Sequence, residues 1–310
     1  MKKQAVLGVS LSLLSGVCWG LSGTAGQYLF SHYGVDSGWL TCLRLLTAGT
    51  VLTVISLFKN KGSLGQLFRN KRDVLRLVVF AVFGLMLSQF GYLQAIRYSN
   101  AGTATAIQYI GEAFVLIVVC IKARRLPVLA ELFGLVLALA GVFLLASHGR
   151  LTSLSISPKG LMWGLFAAVA LAVYTLLPGD LIPRFGNMTV TGSAMLVGGV
   201  VLTVLLRPWG RYVPLDLKGW GCMALVVVAG AIVSYSAYLQ SVVLIGSVKA
   251  GLIAASETVA APLFTLLWLG TTFVWADYLG FACIIAMVLL LALPGLKAEE
   301  RRKEPTADSR

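Results

Sequence analysis

Two glutamates sit where a carboxylate is costly to place. Glu112 and Glu257 each fall near the middle of a long apolar run, and Arg44 lies inside another. An ionised group at the centre of a bilayer costs on the order of 2.5–3.5 kcal/mol on insertion scales, so lipid contact is disfavoured. Such acids must pair, face water or hold a proton. Arg44 is a candidate partner, its alternative being to snorkel to the outer interface. Polar and aromatic residues gather around the acids at helical spacing. Thr105, Gln108, Tyr109 and Glu112 stand at i, i+3, i+4 and i+7, one face of a helix, and Ala250, Ile253, Ala254 and Glu257 make the corresponding face of another. Ser88, Gln89 and Tyr92 fall together, as do Ser234, Tyr235 and Tyr238, and Trp163, Ala167, Ala170 and Tyr174 form a line. The candidate substrate-binding set is therefore Trp19, Arg44, Gln89, Tyr92, Gln108, Glu112, Trp163, Tyr174, Tyr235, Tyr238 and Glu257. A carboxylate there suits a cationic group of a small molecule or a coupling proton. An aromatic lining admits amino acids, bases or drug-like amphiphiles alike.

Plainer roles compete for several of these residues. Any one tyrosine suits an interfacial belt, and Trp163, near a helix end, suits an anchor. Gln94 and Gln240 lie off the Ser88/Tyr92 face and read as glue between helices. Gly16, Gly20 and Thr24 form a small-residue line whose use is close helix packing. Cys18, Cys42, Cys120, Cys222 and Cys283 lie far apart in apolar runs, as small hydrophobes and not as a zinc or redox set. His32 and His148, the only histidines, fall at predicted helix ends, and no paired-acid motif occurs, so a membrane enzyme is disfavoured. A sensor lacks an attached signalling domain. No phosphate-binding GxxxxGK[ST] loop is present, so a transporter here draws on gradients and not on ATP. No cofactor, metal or oligomeric state is assigned.

The elements that must hold these residues are membrane helices. The 310 residues are 58% hydrophobic and 12% charged, about half the charge of a soluble domain. The net charge of +13 sits in short loops and the tail, which excludes a nucleic-acid reading domain and fits basic flanks on a lipid bilayer. Apolar runs near 4–30, 37–58, 74–97, 102–121, 128–147, 158–179, 189–206, 219–244, 248–269 and 276–296 predict ten transmembrane helices. The runs are too long, and too little alternating, for barrel strands. The first, behind Lys2 and Lys3, reads as an uncleaved helix and not a secretory leader. With the N-terminus cytoplasmic, 17 basic residues fall inside and 6 outside, which places both termini in the cytoplasm.

The chain also repeats itself. Gly49–Val54 matches Gly199–Val204, Ser88–Gln94 matches Ser234–Gln240, and Glu112 matches Glu257, at offsets of 150, 146 and 145 in the same order. Five helices per half is odd, so the halves, 4–148 and 158–297, are inverted relative to each other, with a charged, disordered cytoplasmic tail over 298–310. Inverted repeats recur in transporters, with the site between the halves.

Cys18-Trp19-Gly20, Leu43-Arg44-Leu45-Leu46, the stretch from Tyr98 to Tyr109, Phe133-Gly134 with Gly141-Val142, and Lys249 through Glu257 together resemble the EamA family of the drug/metabolite transporter superfamily, over about residues 5–296. The resemblance implies a ten-helix fold and transport, often export, of small metabolites such as amino acids. Members commonly carry proline beside the two acids, where this chain has Ala113 and Thr258. The topology is open to a direct check: reporter fusions at Arg310 and within the Arg207–Lys218 loop should report cytoplasmic and external positions respectively. A cytoplasmic signal from the loop would overturn the five-plus-five arrangement.

Overall fold

The computed structural model describes residues 2–59, 62–150, 156–178 and 181–303. Its secondary structure, among the described residues, is entirely helical. A bilayer core offers no hydrogen bonds, so each crossing segment must satisfy its own backbone, and a helix does so within one strand of chain.

The chain begins with α1 (Lys2–Tyr33) and α2 (Ser37–Lys59), then a short α3 (Ser63–Arg69) in the stretch that the sequence reading leaves as connector. α4 (Lys71–Tyr98), α5 (Ala101–Lys122) and α6 (Leu129–Ser147) follow. After them come α7 (Pro158–Leu176), a short α8 (Leu181–Phe185), α9 (Asn187–Leu206) and α10 (Leu217–Ile245). α11 (Ser247–Ala254), α12 (Glu257–Leu269) and α13 (Trp275–Lys303) complete the chain. Seven of these helices are long and apolar enough to cross a membrane: α1, α2, α4, α5, α7, α9 and α10. Shorter apolar helices, α6, α12 and the Trp275–Leu290 part of α13, join them. α13 continues as helix past position 298, where the sequence predicts a disordered tail, and residues 304–310 of that tail lie outside the described residues.

Local residues set the starts. Asn100 accepts the Thr103 N–H at the head of α5, Ser157 accepts the Gly160 N–H with Pro158 in the first turn of α7, and Asp216 accepts the Gly219 N–H at α10.

Each principal interface joins an early helix to a late one. α1 packs along α10, α11 and α12; α2 against α9; α4 and α5 against α7; and α6 against α13. The small-residue line on α1 does what its spacing predicts. A Cβ on Gly20 would stand 2.8 Å from the Ala261 N of α12, and Thr24 Oγ1 lies 3.4 Å from Thr265 Oγ1. At the α2/α9 crossing a Cβ on Gly49 would meet the Leu196 N at 2.6 Å. Such backbone approach lets dispersion, which works over short distances, hold helices that gain no hydrophobic drive from lipid. Hydroxyls add cross-links: Ser12 Oγ donates to the Ala250 C=O at 2.5 Å and Ser241 Oγ to the Gly8 C=O at 2.8 Å.

Regular α-helix is interrupted at four places, in two matching pairs. Phe80–Met86 in α4 and Leu225–Val233 in α10 are π-helical, and their starts are separated by the same interval as Glu112 and Glu257. Leu87 N–H reaches back five residues to Val82 C=O, and Ser234 N–H to Ala229 C=O. The second pair precedes the acids. At Tyr109–Ile110, and again at Ala255–Ser256, the backbone tightens to i→i−3 bonds: Glu112 N–H to Tyr109 C=O at 3.1 Å and Thr258 N–H to Ala255 C=O at 2.9 Å. Each glutamate therefore lies in the first turn of a new helical segment.

The tight α1/α12 contact gives a quantitative expectation. Gly20→Val must push backbone atoms apart and should destabilise by about 1–3 kcal/mol, read as a lower thermal midpoint in detergent. Gly65→Ala on α3, where an added Cβ meets nothing within 4 Å and alanine is the better helix former, should not lower the midpoint.

Candidate substrate site

The break before Glu257 turns its carboxylate toward α4 and α5. Tyr92 OH donates to Glu257 Oε1 at 3.4 Å, and Tyr109 OH donates to Oε2 at 3.3 Å. Thr105 Oγ1 shares a 2.8 Å hydrogen bond with the Tyr92 hydroxyl. Glu257 and Tyr92 are buried, so these long bonds stand in for water around the acid. Arg44 is buried too and does not reach the outer interface. Its Nη2 donates to the Gly230 C=O at 2.8 Å. That carbonyl is the one Ser234 N–H would take in an α-helix; the π-helical turn sends Ser234 to Ala229 and leaves Gly230 to Arg44. Among the described residues no ion pair joins Arg44 to either glutamate.

Beside Arg44, Trp19 packs edge-on against Tyr235 with ring centroids 5.3 Å apart, and its other neighbour is Tyr238 at 5.6 Å. Gln89 Nε2 donates to the Tyr235 hydroxyl at 2.6 Å, while Gln89 Oε1 and Ser256 Oγ are buried without a partner. One cluster thus collects Trp19, Arg44, Gln89, Tyr92, Tyr235, Tyr238 and Glu257. Other members of the predicted set make contacts of their own, and Tyr174 packs on the same apolar cluster as Tyr235. Gln108 donates to Ser88 Oγ at 3.3 Å, Tyr174 stacks on Phe80 at 5.5 Å, and Trp163 sits edge-on between Phe90 and Phe166. The carboxylate of the half-buried Glu112 makes no hydrogen bond among the described residues. Gln94 acts as glue, accepting from Ser37 Oγ at 2.8 Å, whereas its counterpart Gln240 is exposed.

The profile of the EamA-like transporter family matches residues 6–147 and again 158–293. The chain belongs to the EamA-like transporter family. It is 34% identical over 281 residues to a protein of Salmonella typhimurium described as an uncharacterized inner membrane transporter, YicL, covering 91% of this chain and 93% of that one. It is 24% identical over 239 residues to an uncharacterized transporter of Archaeoglobus fulgidus, covering 77% and 79%. A solved crystal structure 16% identical in sequence superposes with a TM-score of 0.64 over 96% of this chain and 99% of the other, which shows a shared fold.

This EamA-family chain is a multi-pass membrane protein, and polar contacts fasten it at both ends of the bundle. At one end Asp36 accepts from Arg97 and from Arg211, both at 3.1 Å, Tyr33 OH donates to Asp216 at 2.5 Å, and Lys218 lies over the Tyr28 ring. At the other, Arg184 of α8 grips Asp73 of α4 through two bonds of 2.9 and 2.8 Å. A further pair, His148 Nδ1 with Asp277 Oδ1 at 2.6 Å, ties the end of α6 to the head of α13. Sequence reading did not single out these pairs, because partners such as Asp36 and Arg211 lie far apart in the chain and each alone is an ordinary loop charge. Tyr109 was on the Glu112 stripe, yet its hydroxyl serves Glu257 of the other helix.

Burial alone would raise the Asp36 carboxyl, but hydrogen bonds from the Trp39 N–H and from Arg211 and Arg97 more than offset it and hold it below its ordinary value. A depressed folded-state pKa contributes stability that is fully present above the unfolded value of about 3.9 and is lost as pH falls through the folded value. Asp36→Asn should therefore lower the thermal midpoint near pH 7, and the gap to wild type should close below about pH 4. A gap of constant size down to the lowest pH would show that the charge is not what matters.

Proposed function

We propose that this protein is a secondary transporter of a small zwitterionic metabolite, an amino acid or related compound, and that it acts as an exporter in the cytoplasmic membrane. On this reading the chain forms ten spans in two inverted halves of five helices, with both termini cytoplasmic, and works by alternating access without covalent chemistry. The doubled family match, the paired π-helical turns, the paired breaks before the acids and the exchange of packing between early and late helices support the two halves. The Salmonella relative's description as an inner membrane transporter supports the location.

The observation that carries the substrate class is the pairing of opposite chemistries in one buried cluster. Among the described residues Glu257 offers a carboxylate held by two tyrosine hydroxyls at 3.3 and 3.4 Å, and Arg44 offers a guanidinium with one acceptor, the Gly230 carbonyl. A ligand ammonium on Glu257 and a ligand carboxylate on Arg44 would complete both, while Gln89 Oε1 and Ser256 Oγ wait as acceptors. Trp19, Tyr235 and Tyr238 supply an apolar wall for the side chain. A proton on Glu257 is the alternative occupant to the ammonium, so substrate and coupling proton compete for one carboxylate. The polar contacts at both ends of the bundle act as gates, each of which must open in turn.

A thermal-shift screen against amino acids, nucleobases and sugars identifies the ligand, because binding stabilises by mass action. Glu257→Gln then preserves size and removes the charge. It should insert normally and lose transport in proteoliposomes about tenfold or more, the scale of one charge-assisted hydrogen bond. Wild-type transport by Glu257→Gln over the range of about pH 5–8 would remove Glu257 from the mechanism.

A further inference from the structure

A pocket of about 280 Å³ lies at the end of the bundle where α4 stops and α5, α7 and α13 begin, apart from the candidate substrate site. Its accessible walls are mostly polar. The acceptors on these walls are already engaged. Asp277, 1% exposed, bonds His148 Nδ1 through Oδ1 at 2.6 Å and the Val274 N–H through Oδ2 at 2.9 Å. Ser157 Oγ accepts the Gly160 N–H and donates to the Tyr98 C=O. The donors are not engaged. Asn100 accepts the Thr103 N–H on Oδ1, and its amide nitrogen has no acceptor among the described residues. Asp277 occupies the Nδ1 side of His148, which leaves Nε2 for the pocket. Thr103 lines the pocket and is 3% exposed, and its hydroxyl has no partner among the described residues. Threonines deeper in helices, such as Thr41, Thr175 and Thr265, bond the carbonyl one turn back. Thr103 stands in the first turn of α5, where that carbonyl belongs to Ser99, outside the helix. Unused donors beside satisfied acceptors call for an occupant that only accepts.

Charge points the same way. The heads of α5, α7 and α13 meet at this pocket, and helix N-termini favour negative charge. Lys159 Nζ lies 5.6 Å from the centre of the Tyr98 ring, which lines the pocket, and has no acidic partner among the described residues. Arg97, over the same ring, is held by Asp36. The remaining ionisable groups near His148 are Asp277 on α13, Tyr98 itself and Arg150, two residues further along the chain; α5 and the connector before α13 bring only neutral side chains to the pocket. We propose that the pocket binds one small oxyanion, a carboxylate or inorganic phosphate, with its oxygens on the Asn100 amide, the Thr103 hydroxyl and His148 Nε2, and with Lys159 at the mouth. The volume suits such an ion or a short organic acid. Because Nδ1 faces a carboxylate, Nε2 carries a proton only when the imidazole is charged, so binding weakens as pH rises through the histidine range around 6.5. The site does not depend on the transport reading.

His32 and His148 are the only histidines, so His32→Gln leaves His148 as a single imidazole probe. Ring-nitrogen magnetic resonance of the full, isotope-labelled chain in maltoside micelles tests the proposal, with sodium acetate or sodium phosphate exchanged for sodium chloride at constant ionic strength. Near about pH 6 the His148 resonances should move saturably with acetate, phosphate or both, the tighter of the two naming the anion, and should not move with acetamide. Acetate should bind more weakly near about pH 8. Thr103→Val loses only an unpartnered hydroxyl, so it should keep the thermal midpoint yet weaken binding about fivefold, the scale of one hydrogen bond. Lys159→Gln should weaken it as well. A response that never saturates, an equal response to acetamide, equal acetate affinity at the two pH values or undiminished binding by Thr103→Val overturns the proposal. So does saturation by ethylammonium in place of the anions, or by phosphatidylglycerol alone, which would give the pocket to a cation or to a lipid headgroup.

Discussion

Inside a bilayer there is no water to complete a hydrogen bond, so any polar group carried there must find its partner within the protein. Much of the detail in this chain follows from that single constraint. The backbone meets it by being helical. Where the helix departs from i→i−4 bonding, the freed groups are taken up at once. The π-helical turn of α10 releases the Gly230 carbonyl and Arg44 occupies it; the tightened turns before Glu112 and Glu257 replace lost bonds with i→i−3 bonds. Most side-chain hydroxyls obey the same rule by bonding one turn back, as Thr41, Thr203 and Thr265 do. The few groups that break it, Gln89 Oε1, Ser256 Oγ, Thr53 Oγ1 and Ser193 Oγ, are therefore informative. Two stand in or beside the candidate substrate cluster and two at the crossing of α2 and α9.

The same solvent removes the hydrophobic drive between helices, which leaves packing to hold the bundle. Close contact needs small residues, and they occur where early helices cross late ones, at Gly20 against α12 and at Gly49 against α9. Neither part of the chain packs chiefly on itself. Ionic contacts join early and late segments as well, where Asp36 meets Arg211 and Asp73 meets Arg184.

The scaffold is paired but its chemistry is not. Glu257 is held by two hydroxyls whereas the Glu112 carboxylate has no hydrogen bond among the described residues, and the buried Arg44 has Ala194 at its counterpart position.

Composition and hydropathy alone determined that the chain is a membrane protein of many helices, and helix positions agree with the apolar runs to within a few residues, because length and apolarity are local properties. The spacing of Gly16, Gly20 and Thr24 was sufficient to foresee close packing, since three residues on one helical line need only a neighbour. The acids were legible as well: a carboxylate in an apolar run is conspicuous wherever the chain goes. What only the tertiary structure decided was partnership. Period-3.6 reasoning put Tyr109 beside Glu112 on a continuous helix, but the chain tightens at Tyr109–Ile110, and the tyrosine hydroxyl serves Glu257, 148 positions away. Arg44 was open between pairing and snorkelling until a π-helical turn in α10 presented it with a carbonyl. These outcomes depend on how segments distant in sequence approach one another, and the energy of that approach resides in the interface and not in either segment.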